Sequence, residues 1–412
     1  MSATKPTIAV LYQFFPPDDV VSAVLFGELC EELADRGWQV SAFPCAWSSR
    51  DESERFAPRE NFRGVSVRRL WRPRLRQSSG PGRLLNAAWM IARWSLLALT
   101  LRPRPDVLLV GTDPILSVLV ARAWSLLSPR TRVAHWCFDL YPEAAIADGL
   151  LPPGSLLVRL FCRLLRPAYE RCSVIADLGP CMRSLLLRYP SRAERRTIVP
   201  WALEEPQAPL PTSIAERTSL FGDAELALLY SGSFGRAHSY DELLSLAELI
   251  HPRGGKLVFS VRGNREAELR QAAQERGAWV GFVSFAAPDQ LQARLACADV
   301  HVVTLRPAWT GTVVPSKFFG ALSAGRPVLF AGSPDSSVAQ WIRRFQVGWV
   351  LNGENVQEVS KRLLEYSNSP EQIDAMRQHC FATYQREFSR GVQMHRWDNC
   401  LKDLLARDQS NG

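Results

Sequence analysis

The chain has 412 residues, enough for two or three domains and for a sizeable core without disulfides or a structural metal. A composition of 47% hydrophobic and 22% charged residues is that of an ordinary globular protein, which excludes wholesale disorder and collagen-like repeats. The formal charge of +8 is carried by residues 1–203, and ten arginines with no acid fall within 61–105.

Residues 7–15 are β-rich and run straight into Pro16-Pro17, which fits a first core strand of a cytosolic protein better than a signal peptide. Ser22 is then expected to cap a helix through Asp35, with Leu25, Leu29 and Leu33 on one face and Gly37 as its stop. Residues 40–43, 65–70, 106–111, 133–137, 172–177 and 197–199 read as strands. The continuous apolar run at 106–111 suits a strand buried on both faces. The economical interpretation is a parallel sheet with crossover helices.

Between these strands, residues 84–101 form an almost wholly apolar helical stretch. Its main polar residues, Asn86, Arg93 and Thr100, recur every seven and share one narrow stripe. Eighteen residues at about 1.5 Å each are marginal for crossing a bilayer, and an arginine at mid-span makes crossing worse. Two arrangements remain: a helix lying in the membrane interface, with Arg68, Arg69, Arg72 and Arg74 gripping anionic lipid, or a helix buried between the sheet and a neighbour. Nucleic acid is set aside, since no aromatic platform or binding motif accompanies the basic window. The nine cysteines are scattered without C-x-x-C spacing and read as buried thiols in a reducing compartment.

Residues 204–213 are proline-rich and aperiodic, which marks a linker, placed at 204–218. The alternation then restarts, with strands at 226–231, 257–261, 300–304, 328–330 and 348–350 and helices at 240–250 and 267–276. The expected organisation is an N-terminal domain over 1–203 and a second over 219–375. A closing helix near 376–405 is expected to pack back on the first domain. Two such doubly wound units imply a ligand beyond the strand carboxyl ends.

D-x-D, the P-loop, G-x-G-x-x-G, H-E-x-x-H and G-x-S-x-G are all missing from the sequence. What stands out is glycine punctuation after a strand of the second unit, Tyr230-Ser-Gly-Ser-Phe-Gly-Arg236. Such a turn presents backbone N–H groups to an anion, with Arg236 as a planar donor, although a plain tight turn explains it equally well. A second segment, 304–328, puts a polar loop before a small-residue helix and contains Lys317, one of five lysines in the chain.

These two segments, through Tyr230–His238 and Val314-Pro-Ser-Lys-Phe-Phe-Gly with Ala324-Gly-Arg-Pro-Val328, resemble bacterial GT-B glycosyltransferases of family 4, of the colanic acid and O-antigen polysaccharide-assembly type. Phe14–Asp19 and Phe138–Glu143 are similar to that group's acceptor-side loops. The resemblance implies two Rossmann-like domains facing across a cleft. It also implies transfer, with retained configuration, from a nucleotide-diphosphate sugar to a polyprenyl-diphosphate-linked acceptor. The enzyme would work at the cytoplasmic face of the membrane without an obligatory metal or cofactor, and residues 61–105 would meet the anionic membrane surface. By that likeness Gly232, Ser233, Phe234, Gly235, Arg236 and His238 would meet the diphosphate. Arg262 would lie near the nucleotide, Gly311, Thr312, Pro315 and Ser316 would complete the donor site, and Lys317 would neutralise the leaving phosphate. The family's paired glutamates fall on Thr312 and Gly320, a departure that leaves a ribose contact unassigned and admits a catalytically silent assembly subunit. A nucleotide-sugar hydrolase or epimerase is a further alternative.

On the acceptor side, His135 ends a strand and is followed by Asp139 and Glu143. It either orients or deprotonates an acceptor hydroxyl, or is a packed histidine. Asp18 and Asp19 either bind sugar hydroxyls or form a turn that caps the next helix.

Overall fold

The computed structural model describes residues 5–76, 79–277 and 279–409. The chain divides into two compact units, one up to Val199 and again from Gln393, the other Pro200–Val392.

The first unit runs β1 (Thr7–Leu11), α1 (Val21–Asp35), β2 (Gln39–Ala42), β3 (Arg59–Phe62), β4 (Val65–Arg68), α2 (Gly80–Thr100), β5 (Val107–Val110), α3 (Val120–Leu127), β6 (Arg132–Trp136), α4 (Glu143–Ala147), α5 (Leu156–Tyr169), β7 (Val174–Asp177), α6 (Pro180–Leu186) and β8 (Glu194–Thr197). Its sheet has the order β3-β4-β2-β1-β5-β6-β7-β8 and is parallel except for β3, an antiparallel edge strand that periodicity does not reveal. Val107, Leu108, Leu109 and Val110 have no exposed surface, as a strand covered on both faces requires. Right-handed crossovers put α1 on one face and α2, α3 and α5, which step the other way along the sheet, on the opposite face. The packing agrees, since Trp124 of α3 donates to Trp94 O of α2 (2.9 Å) and α3 also contacts α5.

Three details differ from expectation. The N-cap of α1 is Val20, so Ser22 lies inside the helix and does not cap it. Helix α2 begins four residues early, where Ser79 Oγ accepts from Gly82 N–H. Its expected polar stripe is split: Asn86 is buried and donates to Leu75 O (2.8 Å), while Arg93 and Thr100 face outward. The helix is therefore neither fully buried nor fully free, with Met90, Trp94 and Leu97 inside and Leu85, Trp89, Leu96 and Leu99 exposed.

Within the basic window, Arg69 and Arg72 are not available to lipid. Arg69 is buried, pairs with Glu60 (2.7 Å) and donates to Pro16 O and Ala57 O. Arg72 is buried, pairs with Glu52 (2.8 Å) and donates to Pro73 O. Burying a guanidinium is costly unless its donors are met, and here internal acceptors meet the terminal Nη groups of both arginines, while each Nε is buried without a partner.

The second unit runs α7 (Ile214–Phe221), β9 (Leu226–Ser233), α8 (Asp241–Ile250), β10 (Gly255–Arg262), α9 (Glu266–Glu275), β11 (Val280–Val283), α10 (Leu291–Ala296), β12 (Val300–Leu305), α11 (Lys317–Ser323), β13 (Val328–Gly332), α12 (Ser337–Phe345), β14 (Gly348–Leu351), α13 (Val356–Ser367) and α14 (Pro370–Glu387). Its sheet is wholly parallel, with the order β11-β10-β9-β12-β13-β14. Leu228, Tyr230, Phe259 and Leu329 pack its core against Leu244 of α8 and Leu363 of α13.

The proline-rich segment is not a free linker. Glu205 accepts from Arg390 N–H (2.6 Å), and Leu210 donates to Ala324 O and accepts from Arg326 Nη2 (2.9 Å), all within the second unit. The expected closing helix is two helices. The chain breaks at Phe388-Ser389, where Ser389 N–H turns back to Tyr384 O (2.9 Å), and resumes as α15 (Arg390–Gln409). Helix α14 lies in the second unit, and α15 packs in the first through Trp397 on Trp136 and a Trp38 Nε1–H bond to Asp398 (3.1 Å).

Candidate functional site

The glycine turn follows β9 at the carboxyl end of the second sheet. Gly232 has φ +139°, and Gly263, at the matching end of β10, has φ +145°. A Cβ at Gly263 would sit 2.3 Å from Phe234 O, so glycine there lets the two strand ends close together. Two of the turn's N–H groups are taken internally and are not left for a ligand. Phe234 N–H donates to Arg262 O (2.8 Å) and Gly235 N–H to His238 Nδ1 (3.2 Å). Phe234 itself is fully buried against Tyr230 and His238, so it packs the turn and is not a donor contact.

What the turn does present is a pair of side-chain donors. Lys317, the first residue of α11, places Nζ 3.1 Å from Ser233 O, 5.1 Å from the centroid of the Tyr230 ring and 3.5 Å from His238 Nε2. Because His238 Nδ1 accepts a hydrogen bond, the neutral ring carries its proton on Nε2, so two N–H donors face one space. Burial, then the nearby ammonium, pushes His238 down to about 3, and burial lowers Lys317 to about 8. Among the described residues no carboxylate pairs with Lys317. A partly buried ammonium beside a second donor, without a counter-charge, has the chemistry that an anion would complement.

The surroundings hold this geometry. Arg265, which sequence reasoning missed, donates from Nη1 to His238 O (2.5 Å) and from Nε to Glu268 (2.7 Å). Buried Thr304 on β12 ties Ser239 through both its N–H and its hydroxyl (3.0 Å each). Arg236 is exposed on the turn, and its carbonyl accepts from Arg306 (3.4 Å). Arg262 is exposed and stacks on Phe285 (4.1 Å), which follows β11; that strand went unrecognised because it is short, half-exposed and interrupted by Gly281. Gly311 (φ +84°) and Thr312 are buried and shape the loop into α11, with Thr312 Oγ1 donating to Trp309 O (2.8 Å). Pro315 O accepts from Phe318 N–H (3.3 Å), and Ser316 is exposed at the helix start. Trp309 Nε1 and Thr310 Oγ1 in the same loop are buried without partners, a state that polar ligand atoms would relieve. Arg326, part of the A-G-R-P motif, is structural. It has no exposed surface and donates to the carbonyls of Ala296, Ala298, Ala324, Gly325 and Leu210, closing the ends of α10 and α11.

In the first unit the structure brings His135 and Asp139 to one small cavity with Thr112, Tyr141 and Tyr169. His135 Nδ1–H donates to Val110 O (2.9 Å), which leaves Nε2 as an acceptor, and burial lowers the ring to about 4. Burial, then Asp113, raises Asp139 to about 7. Thr112 Oγ1 is buried without a partner. Asp113 was also missed; it accepts from Tyr12 OH (3.0 Å). The other acceptor-side candidates do not join this cavity. Glu143 is buried, accepts from Tyr189 OH (2.8 Å) and lines a separate recess. Asp18 accepts from Ser49 Oγ and N–H, and Asp19 pairs with Arg50 (2.8 Å), so both secure the neighbouring loop and neither caps α1.

Residues 22–202 match the family described as glycosyl transferase 4-like domain. A Pseudomonas aeruginosa protein named "Probable glycosyltransferase WbjE" is 21% identical over 74% of this chain and 76% of its own length. Among solved structures, a sucrose-phosphate synthase from Thermosynechococcus elongatus is similar at TM-score 0.73 and 15% identity, covering 98% of this chain and all of its own. HepE from Anabaena, in complex with UDP-glucose, is similar at TM-score 0.65 and 14% identity, covering 96% and 99%.

Proposed function

We propose that this chain, a GT-B type glycosyltransferase whose residues 22–202 belong to the glycosyl transferase 4-like domains, moves a sugar from a nucleoside-diphosphate donor to a lipid-linked precursor of a surface polysaccharide, with retained configuration. The observation that carries the donor half is Lys317, a partly buried cation without a carboxylate partner, beside the Nε2–H of His238. Departure of a nucleoside diphosphate develops negative charge, and donors held in place beforehand lower that barrier. In this reading Lys317 meets the charge, and no metal or other cofactor takes part. Arg262 and Phe285 supply a flat surface for the base. The solved HepE complex with UDP-glucose supports a nucleotide sugar as donor.

In the first unit, Asp139 has the proton affinity of a base working near neutral pH, with His135 Nε2 and Thr112 Oγ1 as orienting groups for an acceptor hydroxyl. The enzyme acts at the inner face of the cytoplasmic membrane, held there peripherally. Among the described residues no helix is long and apolar enough to cross it.

The test incubates the protein with membranes containing lipid-linked sugar and a panel of labelled nucleotide sugars. Label enters the lipid fraction, and Lys317→Ala slows turnover by about 10² or more. Unchanged rates would remove Lys317 from the site. Free monosaccharide as the product would identify a hydrolase. One observation favours a silent assembly subunit: at Gly320, where the family carries a glutamate, a Cβ would meet nothing within 4 Å, so the contact is missing although space exists. No turnover with any donor, alongside stable binding to another transferase, would establish that alternative.

A further inference from the structure

More than half of the large apolar side chains exposed on the described surface lie on three helices of the first unit, α2, α3 and α5. These helices form one layer on the same face of the sheet, with α3 packed against both others. Together they carry Arg83, Arg93, Arg122, Arg159, Arg163 and Arg166 and not one aspartate or glutamate. An apolar surface this extensive is unusual on a soluble face, and its charge is of a single sign.

Helix α5 organises the two properties. At 100° per residue its exposed Leu156, Leu157, Leu160 and Leu164 share one arc, and Arg159, Arg163 and Arg166 the arc beside it, while Val158, Leu165 and Tyr169 face the core. Leu156 is 83% exposed, which is far from incidental edge exposure. On the arginine side, Arg163 and Arg166 join Arg188 around a recess of about 300 Å³. Its one carboxylate, Glu143, is buried beneath Tyr189, and among the described residues neither Arg163 nor Arg188 has a carboxylate partner. Leu126 on α3 and Leu85, Trp89, Leu96 and Leu99 on α2 are exposed in the same helical layer.

We propose that the outer face of α2, α3 and α5 docks on an anionic bilayer, with the leucine arc of α5 entering the acyl boundary and its arginine arc holding lipid phosphates. Charge complementarity selects this occupant: six arginines lie on the three helices, and the one acid bordering α5, Glu170 at its C-cap, pairs with Arg166 alone (3.4 Å) and leaves Arg159 and Arg163 to face outward. An interfacial helix with apolar and basic arcs is the form such surfaces take. The inference deepens the reading that the acceptor is lipid-linked and moves the contact away from Arg69 and Arg72, which internal pairs consume.

The experiment is co-sedimentation of the full chain with vesicles of phosphatidylcholine, with and without phosphatidylglycerol. The wild type pellets with the anionic vesicles, and pelleting weakens with salt. The triple change Leu157→Ser, Leu160→Ser and Leu164→Ser lowers vesicle affinity at least about tenfold, since three exposed leucines lose their apolar burial. The pair Arg159→Gln and Arg163→Gln costs about fivefold per arginine and flattens the salt dependence. All these positions are exposed, so the melting temperature stays within a few degrees of wild type. Pelleting that persists in both variants would overturn the proposal while leaving the lipid-linked reading intact. A wild type that ignores anionic vesicles, or a leucine variant that only dissolves a complex between copies, would overturn it as well. The wider reading fails separately, if no label reaches a lipid-linked acceptor presented in detergent micelles, where docking is not required.

Discussion

A Cβ at position 232 would sit 2.3 Å from Cε of Lys317. Gly232 is therefore the floor on which the lysine stem rests, and its φ of +139° excludes other residues independently. Gly232→Ala is expected to push the ammonium off Ser233 O and His238. Turnover falls at least about tenfold, while the protein, measured by thermal melting, remains folded; full activity would show that the stem relocates without consequence.

Lys317 also sets a pH dependence. Its value near 8 in the free protein lies below that of an unfolded lysine, 10.5. If the ammonium is what meets the donor, kcat/KM declines as pH rises through about 8, and the bound anion moves the kcat profile to higher pH. Lys317→Arg, which stays charged, removes that decline even if it is slower. Between about 8 and 10.5 the unfolded chain holds more protons, so stability without ligand rises with pH in that window.

Asp139 behaves in the opposite sense. Its folded value of about 7 exceeds the unfolded 3.8, so the folded state binds more protons between them and loses stability as pH rises through that range. Asp139→Asn is expected to gain stability over wild type progressively up to neutral pH in urea titrations, with acceptor turnover impaired. A pH-independent difference between the two proteins would contradict the raised pKa of Asp139.

Arg326 makes a contrasting prediction. Arg326→Met leaves the carbonyls of Ala296, Ala298 and Leu210 without their donor inside the protein. Unfolding should cost about 3 kcal/mol less, or the chain should fail to fold. Any residual activity should scale with the folded fraction; a selective loss of donor affinity with normal stability would return Arg326 to the site.

Phe285→Ala removes the surface on which Arg262 stacks. KM for the nucleotide sugar rises roughly tenfold with kcat little changed, because base stacking is made equally in ground and transition states.

The sequence by itself determined the two α/β units, most of their strands and the glycine turn after Tyr230, and it singled out Lys317 as a candidate. Apolar runs, turn residues and a lone lysine among arginines are local signals that do not depend on distant neighbours. Only tertiary structure decided how those groups are used. The N–H groups of Phe234 and Gly235 go to Arg262 and His238, and the A-G-R-P arginine closes two helix ends. Arg69 and Arg72 turn inward to Glu60 and Glu52, while α5 turns its leucines out. A donor's partner and an apolar side's exposure are fixed by residues far along the chain, so a one-dimensional pattern names the charge but not what neutralises it.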